Sequence, residues 1–183
     1  MHSNLSVREL QEQDITLIAD YWLKSDSEHL IGMGVDMAKL PTRQQLTQML
    51  QAQLNAPLHE KQSYCVIWEV DSQAVGHSNI NKIMFGEEAY MHLHMWRSDI
   101  RKQGLGSALV KMSLPYFFEN LQLKTLYCEP YALNPAPNKT LQKVGFELEK
   151  EYITIPGSLN FEQPVKRWRL SYSKYKSQQE QTE

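Results

Sequence analysis

Apolar and polar positions along the chain change period several times, and each change marks an element. Ser6 to Leu10 reads as a short strand. Ile15, Ile18, Ala19 and Trp22 then recur at helical spacing, which predicts a helix to about Lys24 with Asp14 able to cap it. Asp26 to Pro41 reads as a loop around Gly32-Met33-Gly34-Val35-Asp36, because the glycines and the irregular pattern oppose regular structure. Thr42 to Asn55 predicts a second helix, capped by Thr42 and striped by Leu46, Met49, Leu50 and Leu54.

From Tyr64 the pattern turns to β. Tyr64 to Val70, Ala74 to Met84 and Ala89 to Trp96 are three strands separated by tight turns at Asp71-Ser72-Gln73 and Gly86-Glu87-Glu88, an antiparallel meander. Helical spacing returns from Gly104 to Asn120, where Pro115 kinks the helix or marks its last turns. A brief strand at Thr125 to Cys128 precedes a helix from Pro135 to Val144, with proline near its start, where a missing N–H costs nothing. Strands at Phe146 to Ile155 and Val165 to Tyr172 follow, and Lys174 to Glu183 reads as a frayed polar tail. The order predicts an α/β fold with a mixed sheet and helices on both faces.

With 183 residues, 42% of them hydrophobic, the chain can build one sizeable core, so residues 1–174 are expected to form a single domain and residues 175–183 a polar C-terminal tail. The formal charge of -2 comes from 19 basic and 21 acidic residues spread along the chain. No basic face argues for nucleic acid or an anionic membrane as partner. Cys65 and Cys128 each sit in an apolar run, with neither a CxxC nor a Cys/His pattern, and read as buried free thiols with no metal expected. Residues 1–12 lack the apolar core of a signal peptide and no stretch is long enough to span a membrane, so a cytoplasmic location is expected.

The segment Arg-Ser-Asp-Ile-Arg-Lys-Gln-Gly-Leu-Gly-Ser, residues 97–107, carries the first chemical signal. Two glycines let the backbone turn tightly and leave its N–H groups uncovered, while the next helix points its positive end and its unpaired donors at the same spot. Such a turn suits an anion such as a pyrophosphate, with Arg101 and Lys102 adding charge at its rim. It matches neither the Walker pattern nor GxGxxG.

Arg101-x-x-Gly104-x-Gly106 between a strand and an amphipathic helix resembles the acetyl-CoA motif of the GNAT N-acetyltransferases. Downstream, Asn134-Pro-Ala-Pro-Asn-Lys-Thr-Leu141-Gln-Lys143-Val-Gly145-Phe146 resembles the pattern of the branch that includes the ribosomal-protein alanine acetyltransferases. The resemblance is specific from about Tyr90 to Phe146. It implies a central, mostly antiparallel sheet whose middle strands splay in a V, with acetyl-CoA as co-substrate in the gap. It also implies pantetheine contacts from the backbone of Met95 and Trp96, a pyrophosphate held by Arg101, Lys102, Gln103, Gly104, Leu105, Gly106 and Ser107, and further cofactor contacts from Asn134, Asn138 and Lys139.

Acetyl transfer requires an amine to lose a proton and a thiolate to gain one. In Tyr90-Met91-His92-Leu93-His94-Met95-Trp96 the period of two places His92 and His94 on one face, where either imidazole can serve as base. The resemblance to arylalkylamine acetyltransferases favours His92. It also shows three departures: Tyr90 stands where other members have a glutamate, Leu141 where many have a tyrosine acid, and Pro137 where the ribosomal branch often has a serine. Glu129 is an alternative base or amine anchor, and Tyr131 or Tyr127 an alternative acid. The loop of residues 26–40 and the hairpin of residues 157–163 occupy the positions that flank the acceptor in this family. Glu28, Met33, Asp36, Tyr90 and Phe161 are therefore the substrate candidates, with Trp22 and Trp168 as further apolar walls. The expected function is transfer of acetyl to a primary amine of a small molecule. The alternatives are a protein N-terminal or lysine acetyltransferase and a non-catalytic acyl-CoA sensor. A monomer or homodimer is expected, its C-terminal strand either pairing with a second copy or guarded by Arg167, Arg169 and Lys174.

Overall fold

Within the run Tyr64-Cys65-Val66-Ile67-Trp68, side chains alternate between two faces of a sheet, and both faces are covered. Tyr64, Val66 and Trp68 enter one apolar cluster, Cys65 and Ile67 another, which is why the run is apolar without interruption. The computed structural model describes residues 3–101 and 104–181. Among them, strands β1 (Leu5–Glu9), β2 (Ser63–Val70), β3 (Gln73–Met84), β4 (Glu88–Met95), β5 (Thr125–Cys128), β6 (Glu147–Thr154) and β7 (Gln163–Ser171) form one sheet in the order β1-β2-β3-β4-β5-β7-β6.

Helices α1 (Asp14–Lys24) and α3 (Arg43–Asn55) cover one face, through Ile15, Ile18 and Leu50. Helices α4 (Leu105–Phe118) and α5 (Pro135–Val144) cover the other, through Leu109, Phe117, Leu141 and their neighbours. The mixed sheet with helices on both faces is the fold class that the order of elements predicts. A further short helix, α2 (Ser27–Gly32), and a 3₁₀ turn at Met37–Lys39 occupy the stretch read as loop, because Asp26 and Asp36 each accept the N–H two residues on and so start a turn. Thr42 caps α3 as predicted, in a full capping box with Gln45. Asp14 does not cap α1. It is buried in the first turn, where it accepts the Gln11 N–H and pairs with Arg8 at 2.6 Å.

Two C-terminal expectations are overturned. Residues 172–180 form a helix, α6 (Tyr172–Glu180), because Tyr175 is buried against Phe118 with ring centroids 4.8 Å apart and its hydroxyl donates to Glu119. One aromatic side chain thus recruits a polar segment to the core. Strand β7 is also not an edge: it lies between β5 and β6, and β6 is exposed at the rim.

All neighbouring strands pair antiparallel except β4 and β5, which run parallel over Glu88–Thr125, Ala89–Leu126 and Tyr90–Tyr127 only. Beyond Tyr90, β4 continues to Met95 with no partner on that side, and the sheet opens into a V.

Candidate active site

The geometry of β4 determines what faces the opening. Trp96 donates its N–H to Val75 across the β3–β4 ladder at 2.8 Å, and the register pairs Met95 with Gly76 and His94 with His77. Backbone donors alternate along a strand, so the N–H groups of Leu93 and Met95 point away from β3, into the V. Of the two backbone contacts expected from Met95 and Trp96, the second is therefore corrected in its donor: the Trp96 N–H is consumed by the sheet, whereas the N–H of Leu93, which no motif marks, is directed into the V. Only the hydrogen-bond register reveals this.

Past the V, Gly104 adopts the left-handed conformation at φ 78° at the start of α4. Among the described residues no side chain caps this helix, and the N–H groups of its first turn, Leu105, Gly106 and Ser107, face outward. These donors fit an anionic phosphate group, and with the Leu93 and Met95 donors they form a track suited to acetyl-CoA. Arg101 does not extend into that site. Its guanidinium donates to the Met95 and Trp96 carbonyls, both at 3.1 Å, and braces the turn instead. Lys102 and Gln103 lie outside the described residues.

On α5, Asn134 occupies the N-cap position, yet its side chain makes no capping bond, so its amide is open toward the cavity that it lines. Asn138 is different. It is buried, donates to the Tyr131 and Asn134 carbonyls at 3.1 and 2.8 Å, and accepts from Trp168 Nε1 at 2.8 Å. Both its donors are consumed, so it holds the start of α5 in place and has none left for a cofactor. Trp168, expected in the apolar wall, is that buried partner. Lys139 is exposed on the same helix.

A cavity of about 630 Å³ occupies the α1/α3 face of the sheet and reaches the V. Its floor holds His77, His92 and His94, its far side Glu129, Tyr131 and Asn134, and its apolar wall Trp22, Met33 and Leu50. Residues 34–39 and 159–163 are tied together over it. Asp36 donates its N–H to the Leu159 carbonyl at 2.8 Å, Val35 bridges Asn160, and both Asn160 and Gln163 donate to the Gly34 carbonyl.

The two segments expected to flank an acceptor therefore do meet, but with different residues facing inward. Glu28 is exposed on α2 and absent from the cavity wall, Asp36 starts the 3₁₀ turn, and Phe161 packs its ring on Tyr131 outside the wall. Tyr90 is also outside it, packed against Tyr127 beside Arg167. Of the substrate candidates only Met33 lines the cavity.

Both histidines of β4 face this cavity, as their period of two requires. His92 Nε2 bonds Asn81 Oδ1 at 3.0 Å, and burial, aided by the positive Lys82, pushes its pKa down to about 4. His94 stacks on His77 with centroids 4.6 Å apart, and burial holds it well below the ordinary histidine range. His77 is pushed to about 3, chiefly by burial, with His92 as a lesser cause, and accepts the Trp96 indole N–H at 2.7 Å. Glu129 accepts from the Tyr152 hydroxyl, and Arg167 lies 3.8 Å away. Tyr131 carries the phenol of the far side.

The lowered histidine values have a consequence for stability. Between the unfolded value near 6.5 and the folded values, the unfolded chain binds more protons, so stability falls as pH drops from about 6.5 to about 4. The slope approaches about 4 kcal/mol per pH unit if all three histidines contribute. Thermal melts across that range should show this decline, and a flat profile between pH 6.5 and 4.5 would contradict neutral buried imidazoles.

A sequence profile of the acetyltransferase (GNAT) domain matches residues 4–147, most of the chain. The chain belongs to the GNAT acetyltransferase family. Acetyl-CoA is thus its co-substrate. No curated protein matches the sequence significantly. Several solved structures share the fold. Spermidine N-acetyltransferase from Vibrio cholerae, in complex with CoA and spermine, superposes with a TM-score of 0.75 at 18% identity, covering 93% of this chain and 97% of that one. The ribosomal L7/L12 α-N-protein acetyltransferase RimL with coenzyme A gives 0.74 at 15% identity, over 93% and 95% of the two chains. An aminoglycoside acetyltransferase with coenzyme A and kanamycin gives 0.73 at 13% identity, over 96% and 99%.

Proposed function

We propose that this GNAT domain acetylates a primary amine of a small molecule bound in the cavity between α1, α3 and the β3–β4 floor. The observation that carries this reading is the loss of β4–β5 pairing beyond Tyr90, which frees the Leu93 and Met95 donors at the edge of a 630 Å³ cavity. The tied roof over that cavity favours a small molecule over an extended peptide, which needs an open groove. Structural relatives crystallised with spermine and kanamycin agree in class.

When bound, acetyl-CoA supplies the thioester that the amine attacks. The residues of this chain orient the reactants and move protons. The Leu93 and Met95 N–H groups, two residues apart on one strand edge, serve different acceptors, one the oxyanion and the other the pantetheine arm, while the first turn of α4 holds phosphate. Asn134 offers a free amide along the gap, with Lys139 further along α5. His92, with Nε2–H donating to Asn81, keeps Nδ1 as an acceptor for the amine proton, and Glu129 is placed to attract the ammonium group. The Tyr131 hydroxyl is the candidate proton donor to the departing thiolate. The two cysteines are free and buried, in keeping with a reducing cytoplasmic setting, and no helix among the described residues is long and apolar enough to cross a membrane. The molecule acts as a monomer or homodimer, with the exposed β6 rim available for pairing.

Thermal stabilisation by acetyl-CoA followed by free-thiol release across a panel of amines tests the proposal. A shift in melting together with release for one amine class supports it, whereas a shift without release for any amine supports an acyl-CoA sensor instead. Replacing His92 by alanine is expected to lower kcat about 100-fold while leaving acetyl-CoA affinity nearly unchanged. Unaltered kcat in that variant would remove His92 from the chemistry.

A further inference from the structure

Tyr21 and His29 have no part in the transfer reaction described above, yet they connect its cavity to a second one. Tyr21, on α1, is 5% exposed. Its hydroxyl lies 3.3 Å from His94 Nδ1 and 3.3 Å from His29 Nε2, with Met33 Sδ at 3.4 Å. His94 lines the large cavity. Tyr21 and His29 line another of about 370 Å³, whose wall includes Asp20, Asp26 and Arg101. The histidines are not arranged to hold a metal ion: no group of three or more metal-ligating side chains occurs among the described residues.

Acetylation of a protonated amine leaves one proton over. A C–N bond forms and the C–S bond breaks. Of the three ammonium protons, one stays on the amide nitrogen, one goes to the thiolate, and one must leave the cleft. We propose that this proton leaves through His94, Tyr21 and His29 into the second cavity, an inference that rests on the acetyl-transfer reading above.

In the competent arrangement His94 Nδ1–H donates to the Tyr21 oxygen, and the Tyr21 hydroxyl donates to His29 Nε2. A proton arriving at His94 Nε2 moves each of these one place along, and His29 releases one from Nδ1 toward the solvent side, where Asp20 and Asp26 stand. Tyr21 gains a proton on its oxygen as it gives one up, so no phenolate accumulates. The surroundings oppose storage of the proton on the way. Burial above all lowers the pKa of His94, and His77 stacked on it, His92 on the same strand and His29 across Tyr21 lower it further. Tyr21 and His29 face Arg101, and only Asp26 favours the charged form of His29. An imidazole that cannot keep a proton at neutral pH serves only if it passes the proton on.

The test uses the full chain and the amine that gives the fastest thiol release among 2-phenylethylamine, spermidine and an amino-acid amide. Tyr21→Phe keeps the ring and removes the relay oxygen. It is expected to lower kcat about 10- to 100-fold near pH 7 with acetyl-CoA affinity unchanged. The deficit should shrink toward nothing as pH rises past the pKa of the amine used, about pH 9.5 for the amino-acid amide and correspondingly higher for an alkylamine, where the amine is largely neutral and no surplus proton exists. His29→Gln, at a half-buried position, should behave in the same way and guards against a folding defect in the first variant. Unchanged kcat near pH 7 in both variants would overturn the relay, and so would a deficit of the same size at every pH, which marks a structural role. If the native chain releases thiol with none of the amines, the acetyl-transfer reading fails and the relay with it.

Discussion

Replacing Asn138 by alanine is expected to lower the melting temperature by about 6 to 12 °C and to reduce acetyl transfer with it. The side chain joins the buried Trp168 indole N–H to the carbonyls of Tyr131 and Asn134, the first of which also accepts the Asn134 backbone N–H. Leaving the indole N–H unpaired and losing the two bonds to the carbonyls costs about 3 kcal/mol together, and in a chain of this size each kcal/mol moves the midpoint by about 2 to 4 °C. Activity follows because Tyr131 and Asn134 both line the cavity, and Asn138 holds the backbone between them. Asn138→Asp has the same shape and can still accept from Trp168, but sets a carboxylate against two carbonyls, so it should be at least as damaging. An alanine variant that melts within 2 °C of the native chain, measured by calorimetry, would show that water replaces the amide and that the bonds are not structural.

The second large effect concerns the turn before α4. Gly104 sits at φ 78° with open space where a Cβ would be, whereas a Cβ on Gly106 would meet Thr140 at 3.6 Å, ordinary contact distance. Gly104→Val forces a β-branched residue into a conformation costing about 1 to 2 kcal/mol and adds methyl groups in front of the uncapped helix end. Either the strain remains or the turn relaxes and re-aims its N–H groups. Acetyl-CoA affinity should fall about tenfold or more, read as loss of thermal stabilisation by the ligand. Gly106→Ala should retain that stabilisation, because the new methyl group points at α5. Equal behaviour of the two variants would mean that the phosphates are bound elsewhere.

The difference between these two glycines was not visible as sequence. The pair Gly104-x-Gly106 marks a tight turn before a helix, but which glycine needs its conformation and which merely fits depends on α5 packing nearby. The same holds for the asparagines of α5. Asn134 and Asn138 are equivalent as residue types four apart at a helix start. Only the arrival of Trp168 from β7, thirty residues later, commits Asn138 to the core and leaves Asn134 at the cavity. Segment positions carried further than residue identities. Residues 26–40 and 157–163 do border the cavity, yet Glu28, Asp36 and Phe161 are absent from its wall, because the backbone bonds that tie the two segments together set which side chains face inward.

What the sequence by itself determined was local. The period of two in residues 64–96 and the helical spacing around Leu105 and Leu141 reflect burial on regular surfaces, and the glycine turn reflects a backbone requirement. These placed most of the strands and helices, put His92 and His94 on one face, and identified the GNAT pattern. The tertiary structure decided whatever depends on partners distant in the chain. It set the register that aims Leu93 and Met95, rather than Trp96, into the V. It folded Arg101 onto carbonyls, drew Tyr175 into the core, and brought Tyr21 and His29 to His94 across some seventy residues. Local patterns record which groups avoid water. Which polar group bonds which is a matter of non-local geometry, and no spacing along the chain encodes it.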